Sequence, residues 1–258
     1  MIDLHFHALP GVDDGPASME QALALLRGAE AAGTHTVVAT PHLSAAYPHT
    51  RGEGVREGVL SLQAEADAAG IGVRIVPGAE LEVMHCEVLG EDDLTGLRLG
   101  DGPYALVELP FSADARFAEM LLGMHAELQP VVLAHPERSR AFQEDDELLG
   151  RLVGQGMLAQ VTAASIAGSF GSTVKRCAWS MLARGLVHVV ASDAHDAVGR
   201  PPLLREPLEA AGLGELCGAL CEDGPAAILA GERPAPAPPA TPPPAGARRR
   251  LRGALRRR

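Results

Sequence analysis

Seven short apolar runs, alternating with stretches of helical spacing, constrain this chain more than any other feature. The runs span residues 2–5, 36–40, 72–77, 104–109, 130–134, 158–162 and 187–191. They are nearly continuous in Val, Leu, Ile and Ala, without polar alternation. Strands of a parallel sheet covered on both faces read this way. Amphipathic stretches at 18–32, 54–69, 113–128, 145–154, 173–184 and 202–211 separate or follow them. Ser18 with Gln21 three residues on predicts a capping box. Gly33, Gly70, Gly156 and Gly185 stand where left-handed helix ends are expected. About seven strands in strand–helix order predict a closed or nearly closed α/β barrel.

The carboxyl ends of these runs carry the chemistry. His5 and His7, two apart on the first strand, present their imidazoles on one face. Asp13 and Asp14 follow in a Pro-Gly-Val-Asp-Asp-Gly-Pro loop. His42 follows the second run, Glu80 the third, and Glu108 ends the fourth. His135 ends the fifth, and Asp193 and His195 follow the seventh. In an α/β barrel that rim is where sites are built. Taken singly, a carboxylate there is usually a helix N-cap or a solvated charge, and a lone histidine is more often structural. Glu108 is harder to dismiss, because Leu106, Val107 and Leu109 flank it and a buried carboxylate needs a partner or a metal. Nine donors of mixed nitrogen and oxygen type exceed one ion and suit two or three divalent cations. The residue types are compatible with manganese, iron or zinc. Asp13 and Asp14 are equivalent at this level.

Arg138 and Arg200 follow His135 and His195 closely. A guanidinium fork beside such a cluster either grips a phosphate or neutralises the carboxylates. His35, His49, His85, His125 and His188 lack the strand-end position and read as surface or core residues. No cysteine begins a Cys-x5-Arg loop, and no Gly-rich phosphate loop is present.

Charge separates the chain into two parts. The net charge is −11, yet the last 25 residues hold seven arginines and no acid. The rest sets 15 basic residues against 33 acids, near −18. Such a body argues against nucleic-acid binding. Residues 1–232 read as one domain, and 233–258, Pro/Ala-rich and then Arg-rich, as a disordered tail. The tail could make a weak contact with an anionic membrane or an acidic partner. The start has no basic, helical leader, no run is long enough to span a bilayer, and the four cysteines lack metal-type spacing, so a cytoplasmic protein is expected.

Several segments together resemble the PHP (polymerase and histidinol phosphatase) superfamily. These are Met-Ile-Asp-Leu-His-Phe-His, Asp-Asp-Gly-Pro, Val-Ala-Thr-Pro-His, Pro-Gly-Ala-Glu, Leu-Ala-His-Pro-Glu-Arg, Gln-Val-Thr-Ala-Ala-Ser with Phe-Gly, and Ala-Ser-Asp-Ala-His with Gly-Arg-Pro-Pro. More narrowly, the chain is similar to the bacterial metal-dependent protein-tyrosine phosphatases of capsular and exopolysaccharide loci. The resemblance implies a distorted (β/α)7 barrel and a trinuclear, usually manganese, centre. It implies His5, His7, Glu80 and Asp193 around one ion, Glu80, Glu108 and His135 around a second, and Asp14, His42 and His195 around a third. It also implies that Arg138 and Arg200 hold the phosphoryl group, and that the substrate is a phosphotyrosine protein such as a bacterial tyrosine autokinase. Ala164 departs from the family, where many members have Gly, and the tail has no counterpart. Two other readings compete: a small-molecule phosphoesterase such as a histidinol-phosphate phosphatase, and a non-catalytic, metal-stabilised interaction protein.

Overall fold

The computed structural model describes residues 1–85 and 96–241. Cys86 and the seven tail arginines lie outside the described residues. The elements run β1 (Ile2–Phe6), α1 (Met19–Ala31), β2 (Thr36–Ala39), β3 (His42–Leu43), α2 (Gly52–Ala68), β4 (Arg74–Pro77), β5 (Glu80–Glu82) and β6 (Ala105–Glu108). They continue with α3 (Ala115–Leu128), β7 (Val131–Ala134), α4 (Arg140–Glu144), α5 (Leu148–Gly154), β8 (Leu158–Thr162), α6 (Ala163–Ala167), α7 (Ser172–Ala183), β9 (Val189–Ala191), α8 (Arg205–Ala210) and α9 (Gly224–Leu229).

All strand pairs are parallel, in the orders β1-β2-β4 and β3-β5-β6-β7-β8-β9. The seven expected runs all form strands, and two of them are continued past their expected ends by a second short strand. The second run forms β2, and β3 follows across Thr40–Pro41, since a proline has no N–H for the ladder. The third forms β4, and β5 follows across Gly78, where a Cβ would fall 2.8 Å from Val38 Cγ1. These breaks carry His42 and Glu80, expected in loops, onto strands where they pair in register. The ring closes at β1, where His7 N donates to Ala194 O (2.9 Å) and Asp193 N to His5 O (3.0 Å). The architecture is a parallel α/β barrel of seven strand runs.

Alternation along the strands sorts the core into two layers. Ile2, Leu4, Val38, Val76, Leu106, Val132, Leu158 and Val189 fill the barrel, and Leu99, Tyr104 and Ile228 close its floor. The intervening residues, among them Val37, Ala39, Val107, Leu133, Val161 and Val190, pack outward against the helices. A register irregularity between Asp3 and Phe6 lets the sequence neighbours Leu4 and His5 both serve the interior.

Helix ends follow local chemistry. Ser18 caps α1 by accepting from Gln21 N, but Gln21 Oε1 reaches Ala17 N, one residue before the expected box partner. Asp114 caps α3 through Phe117 N (2.9 Å). The short α4, α6 and α9 had no sequence signal, because five or six residues cannot display a helical period.

The segment expected to be free from residue 233 onward is packed as far as Ala240. Ala237 N donates to Val187 O (2.8 Å) and Ala240 N to Leu182 O (3.0 Å). Pro234, Ala237 and Ala240 are buried while the residues between them are exposed. That three-residue period is the repeat of a polyproline II helix lying on the body along one edge.

Candidate metal centre

The nine sequence-selected donors converge at the carboxyl end of the barrel. Glu80 lies at their centre. Its Oε2 is 3.1 Å from His5 Nε2, 3.3 Å from His7 Nε2 and 3.1 Å from His42 Nδ1. Its other oxygen is 2.7 Å from His135 Nε2. Asp193 Oδ1 lies 3.4 Å from His5 Nε2 and 3.5 Å from His7 Nε2. On the outer side Asp14 Oδ1 lies 3.2 Å from His195 Nε2 and 3.5 Å from His42 Nε2. Glu108 stands 3.7 Å from His135 and 4.0 Å from His42. It is less buried than its apolar neighbours suggest, with 16% of its side chain exposed at the mouth.

Backbone strain delivers two of these donors. His135 (φ 30°) and Asp193 (φ 55°) are the two non-glycine residues with positive φ among the described residues. Non-glycine residues avoid this region, and where they occupy it the surrounding fold must hold them there.

The donor set fits cations. His5 Nδ1 lies 2.9 Å from Gln160 Oε1, and His7 Nδ1 lies 2.7 Å from Asp13 Oδ2. Both partners are acceptors, so each Nδ1 carries a proton, which leaves Nε2 as the atom that each ring can offer to a cation. Those two Nε2 atoms face each other at 3.2 Å. Asp193 Oδ1 and His195 Nε2 are buried without a hydrogen-bond partner. Lone pairs aimed at one another, beside an unsatisfied carboxylate oxygen, form a cradle for positive charge. The same atoms define three candidate groups: His5, His7, Glu80 and Asp193; His42, Glu80 and Glu108; and His7, Asp14, His42 and His195.

Electrostatics point the same way. Burial alone would raise the Glu80 carboxyl, but His5 and His135 outweigh it and hold Glu80 well below the usual carboxylate range. Burial likewise opposes ionisation of Asp193 and is overcome by His5 and His7. Glu108 goes the other way: burial, with the Glu80 charge beside it, pushes its carboxyl up. His195 holds Asp14 low.

Asp13 and Asp14 separate in three dimensions. Asp14 faces His42 and His195, whereas Asp13 turns away to hold His7 Nδ1, the His42 backbone N–H (3.0 Å) and the Gly15 N–H (3.0 Å). Arg138 Nη1 donates to Asp193 Oδ2 (2.7 Å), and Arg200 Nη2 donates to the same oxygen. Arg200 Nε is buried with no protein acceptor. The arginines therefore balance one carboxylate and keep donors in reserve. A cleft of about 330 Å³ opens on the His42 and Glu108 side of the donors, lined by these two with Tyr47, Pro110 and Phe111 among others. Tyr47 stacks on His42 with ring centroids 5.8 Å apart.

The remaining histidines lie outside the cluster. His125 Nε2 bonds Val83 O, His188 Nδ1 accepts from Ala159 N, and His35 pairs with Glu222. Gln160 was missed by the sequence reading. The available signal was parity, since it follows Leu158 by two on β8 and so faces the interior.

A family model for capsular polysaccharide synthesis proteins, CpsB/CapC, matches residues 1–212. Tyrosine-protein phosphatase YwqE of Bacillus subtilis is 36% identical over 204 residues, which is 78% of this chain and 79% of that protein. Tyrosine-protein phosphatase CpsB of Streptococcus pneumoniae is 31% identical over 216 residues, 80% of this chain and 87% of its own. Crystal structures of YwqE and CpsB, described as unique metal-dependent tyrosine phosphatases, include a match at TM-score 0.80 and 31% identity. It covers 95% of this chain and 100% of that one. A β-aspartyl dipeptidase at 14% identity and TM-score 0.54 shares the fold alone. With the family model spanning the barrel and relatives matching over most of their length, the chain belongs to the CpsB/CapC family.

Proposed function

We propose that this chain is a metal-dependent protein-tyrosine phosphatase. One observation carries the reading: a cradle of five imidazoles and four carboxylates meets two arginine forks on one Asp193 oxygen, beside a cleft with aromatic walls. We assign His5, His7, Glu80 and Asp193 to one divalent cation, Glu80, Glu108 and His135 to a second, and Asp14, His42 and His195 to a third. Manganese is the assigned metal, and the donor types also accept iron or zinc. Bound there, such cations would supply Lewis-acid stabilisation of the phosphoryl charge and acidify water.

The protein's own part is positioning. Asp193 holds Arg138 and Arg200 at the mouth, where their planar forks match two phosphoryl oxygens each. As catalytic groups we assign these two arginines together with Asp14 and His42. Tyr47 and Phe111 on the cleft wall suit an aryl group. A phenolate leaves readily, with a free pKa of about 10, so little proton donation is required of the protein. No cysteine nucleophile is needed, and burial pushes the Cys177 thiol up to about 12.

The natural substrate is assigned as a phosphotyrosine protein, a bacterial tyrosine kinase in capsule or exopolysaccharide regulation, which places the enzyme in the cytoplasm. Residues 1–232 are the catalytic domain, and the arginines after residue 247 are assigned a weak, charge-driven contact with an anionic surface.

The test is turnover of p-nitrophenyl phosphate with and without Mn2+, before and after chelation, in native protein and His42→Ala. Activity should vanish with chelator, return with metal, and be largely lost in the variant, while a thiol-blocking reagent has little effect. A panel of phosphotyrosine peptide against histidinol phosphate then fixes the substrate class. Preference for histidinol phosphate replaces this reading with a small-molecule phosphoesterase. No hydrolysis of any phosphomonoester by metal-loaded protein leaves a non-catalytic interaction protein.

A further inference from the structure

The Phe-Gly motif at 170–171 has no place in the donor set, yet the fold brings it to the site. Phe170 lies in the short turn between α6 and α7. Gly168 (φ 100°) ends α6 and Gly171 (φ 94°) precedes α7. Both are conformations that glycine adopts without strain, and the two reversals leave Phe170 as a half-buried ring between them. Arg138 Cζ lies 4.7 Å from the centroid of that ring and over its face. From the opposite end of the sequence neighbourhood, Phe111 in the loop after β6 places a second ring 4.7 Å from the same carbon. Phe111 is 46% exposed, and it also lies 5.9 Å from the His135 ring.

We infer that Phe111 and Phe170 are positioning residues, which grip the Arg138 guanidinium between ring contacts and the Asp193 carboxylate so that its remaining in-plane N–H groups form a fixed fork for a phosphoryl group. The inference rests on the phosphatase reading above and deepens it. Arginine is suited to the role because its weakly hydrated, planar head stacks on rings without losing its edge donors. Nη1 is taken by Asp193 Oδ2, and Nε and Nη2 have no protein acceptor among the described residues. A free arginine loses rotamer freedom when it takes hold of a ligand, and a clamped one has already lost it. Arg200 differs. It shows no ring contact among the described residues, and its backbone is set by the Asp196 carboxylate, which accepts from the N–H groups of Val198, Gly199 and Arg200. The two arginines are therefore unequal, and the Phe-Gly motif serves the fixed one.

The test measures inorganic phosphate binding to the metal-loaded protein by calorimetry, with steady-state kinetics on p-nitrophenyl phosphate alongside. Phe170→Leu should weaken phosphate binding roughly 5-fold, the size of a partly desolvated ring–cation contact. KM should rise in parallel, with a smaller fall in kcat. Bound metal and thermal midpoint should match the parent, and Phe170→Tyr should restore the parent affinity. In an Arg138→Met background the same Leu substitution should have no further effect. Phe111→Leu, at an exposed position where folding is not at stake, should repeat the pattern. Unchanged phosphate affinity in both Leu variants, or a loss that persists in the Arg138→Met background, overturns the clamp. Should the parent bind phosphate yet hydrolyse no aryl phosphate, the phosphatase reading fails while the binding cycle still decides the clamp.

Discussion

Asp13 holds His7: its Oδ2 lies 2.7 Å from His7 Nδ1, on the ring edge opposite the metal cradle. The carboxylate fixes the tautomer and aims Nε2 inward, which is the usual arrangement behind a metal-binding histidine. Asp13→Asn should lower Mn2+ affinity about 10- to 100-fold, read by metal titration of the chelated protein. Turnover at saturating metal should be nearly retained. A full loss of turnover at saturating metal would make Asp13 a ligand.

Gln160 does for His5 what Asp13 does for His7. It is fully buried, accepts from His5 Nδ1 at 2.9 Å, and lies 3.4 Å from the His135 N–H. Gln160→Leu keeps volume and removes the acceptor, leaving a buried N–H unpaired at a cost of about 1–3 kcal/mol. Both urea stability and metal affinity should fall, and Gln160→Glu should recover metal affinity. Unchanged affinity in the Leu variant would show that His5 needs no such support.

Glu108 sits beside the Glu80 carboxylate, and both can face one cation. In chelated protein, Glu108→Gln should raise the thermal midpoint, because burial and the Glu80 charge hold the parent's carboxyl protonated in the folded state only, a cost that a neutral amide avoids. In the presence of Mn2+ the order should reverse. Metal stabilises the parent by mass action, and the variant, with a weaker ligand, gains less. Scanning calorimetry of both proteins with and without chelator checks the crossover.

His188 supplies a pH signature remote from the metal site. It is 1% exposed, its Nδ1 accepts from Ala159 N at 3.1 Å, and burial pulls its pKa down to about 4. Between pH 6.5 and about 4 the unfolded chain binds a proton here that the folded one refuses, so stability falls as pH drops through that window. Asp3 and Glu137, raised by burial to about 6 and about 7, tilt the opposite way. The contribution of His188 is therefore read as a difference. Relative to His188→Asn, which keeps an acceptor for Ala159, the parent should lose up to about 3 kcal/mol more between neutral pH and pH 4. Parallel stability curves for the two proteins would refute it.

The Pro/Ala segment is a strap on the body. Gly185, at a left-handed turn (φ 64°), leaves room for Pro239, whose Cγ a Cβ would meet at 3.2 Å. Ala237→Asp should cost about 1–2 kcal/mol by burying an unpaired charge at a site that can partly open. Metal affinity and kcat should be unchanged, because the strap lies against the start of β9 and the end of α7. Equal urea midpoints for parent and variant would show that the strap contributes nothing.

The sequence was most legible where local pattern and final structure obey the same rule. Val37 to Ala39 and Val131 to Ala134 are apolar on both faces because helices cover one face and the barrel interior the other, so strand count and class could be read directly. His5, His7, Glu80, His135 and Asp193 were legible because they sit at or just past the ends of the apolar runs, and barrel strands end at one rim. The break at Gly78, the bulge in β1 and the packed strap were not. Each depends on how closely another segment approaches, as Val38 does to Gly78. The neighbours Asp13 and Asp14 have identical chemistry, and only folding turned one toward His195 and the other behind His7. What the chain alone determined was the barrel and the chemical identity of its rim, because periodicity and residue type are local properties. Which carboxylate faces a cation, which amide steadies an imidazole and which rings hold Arg138 were decided by tertiary structure, since those relations join residues far apart in the chain across distances of a few ångströms.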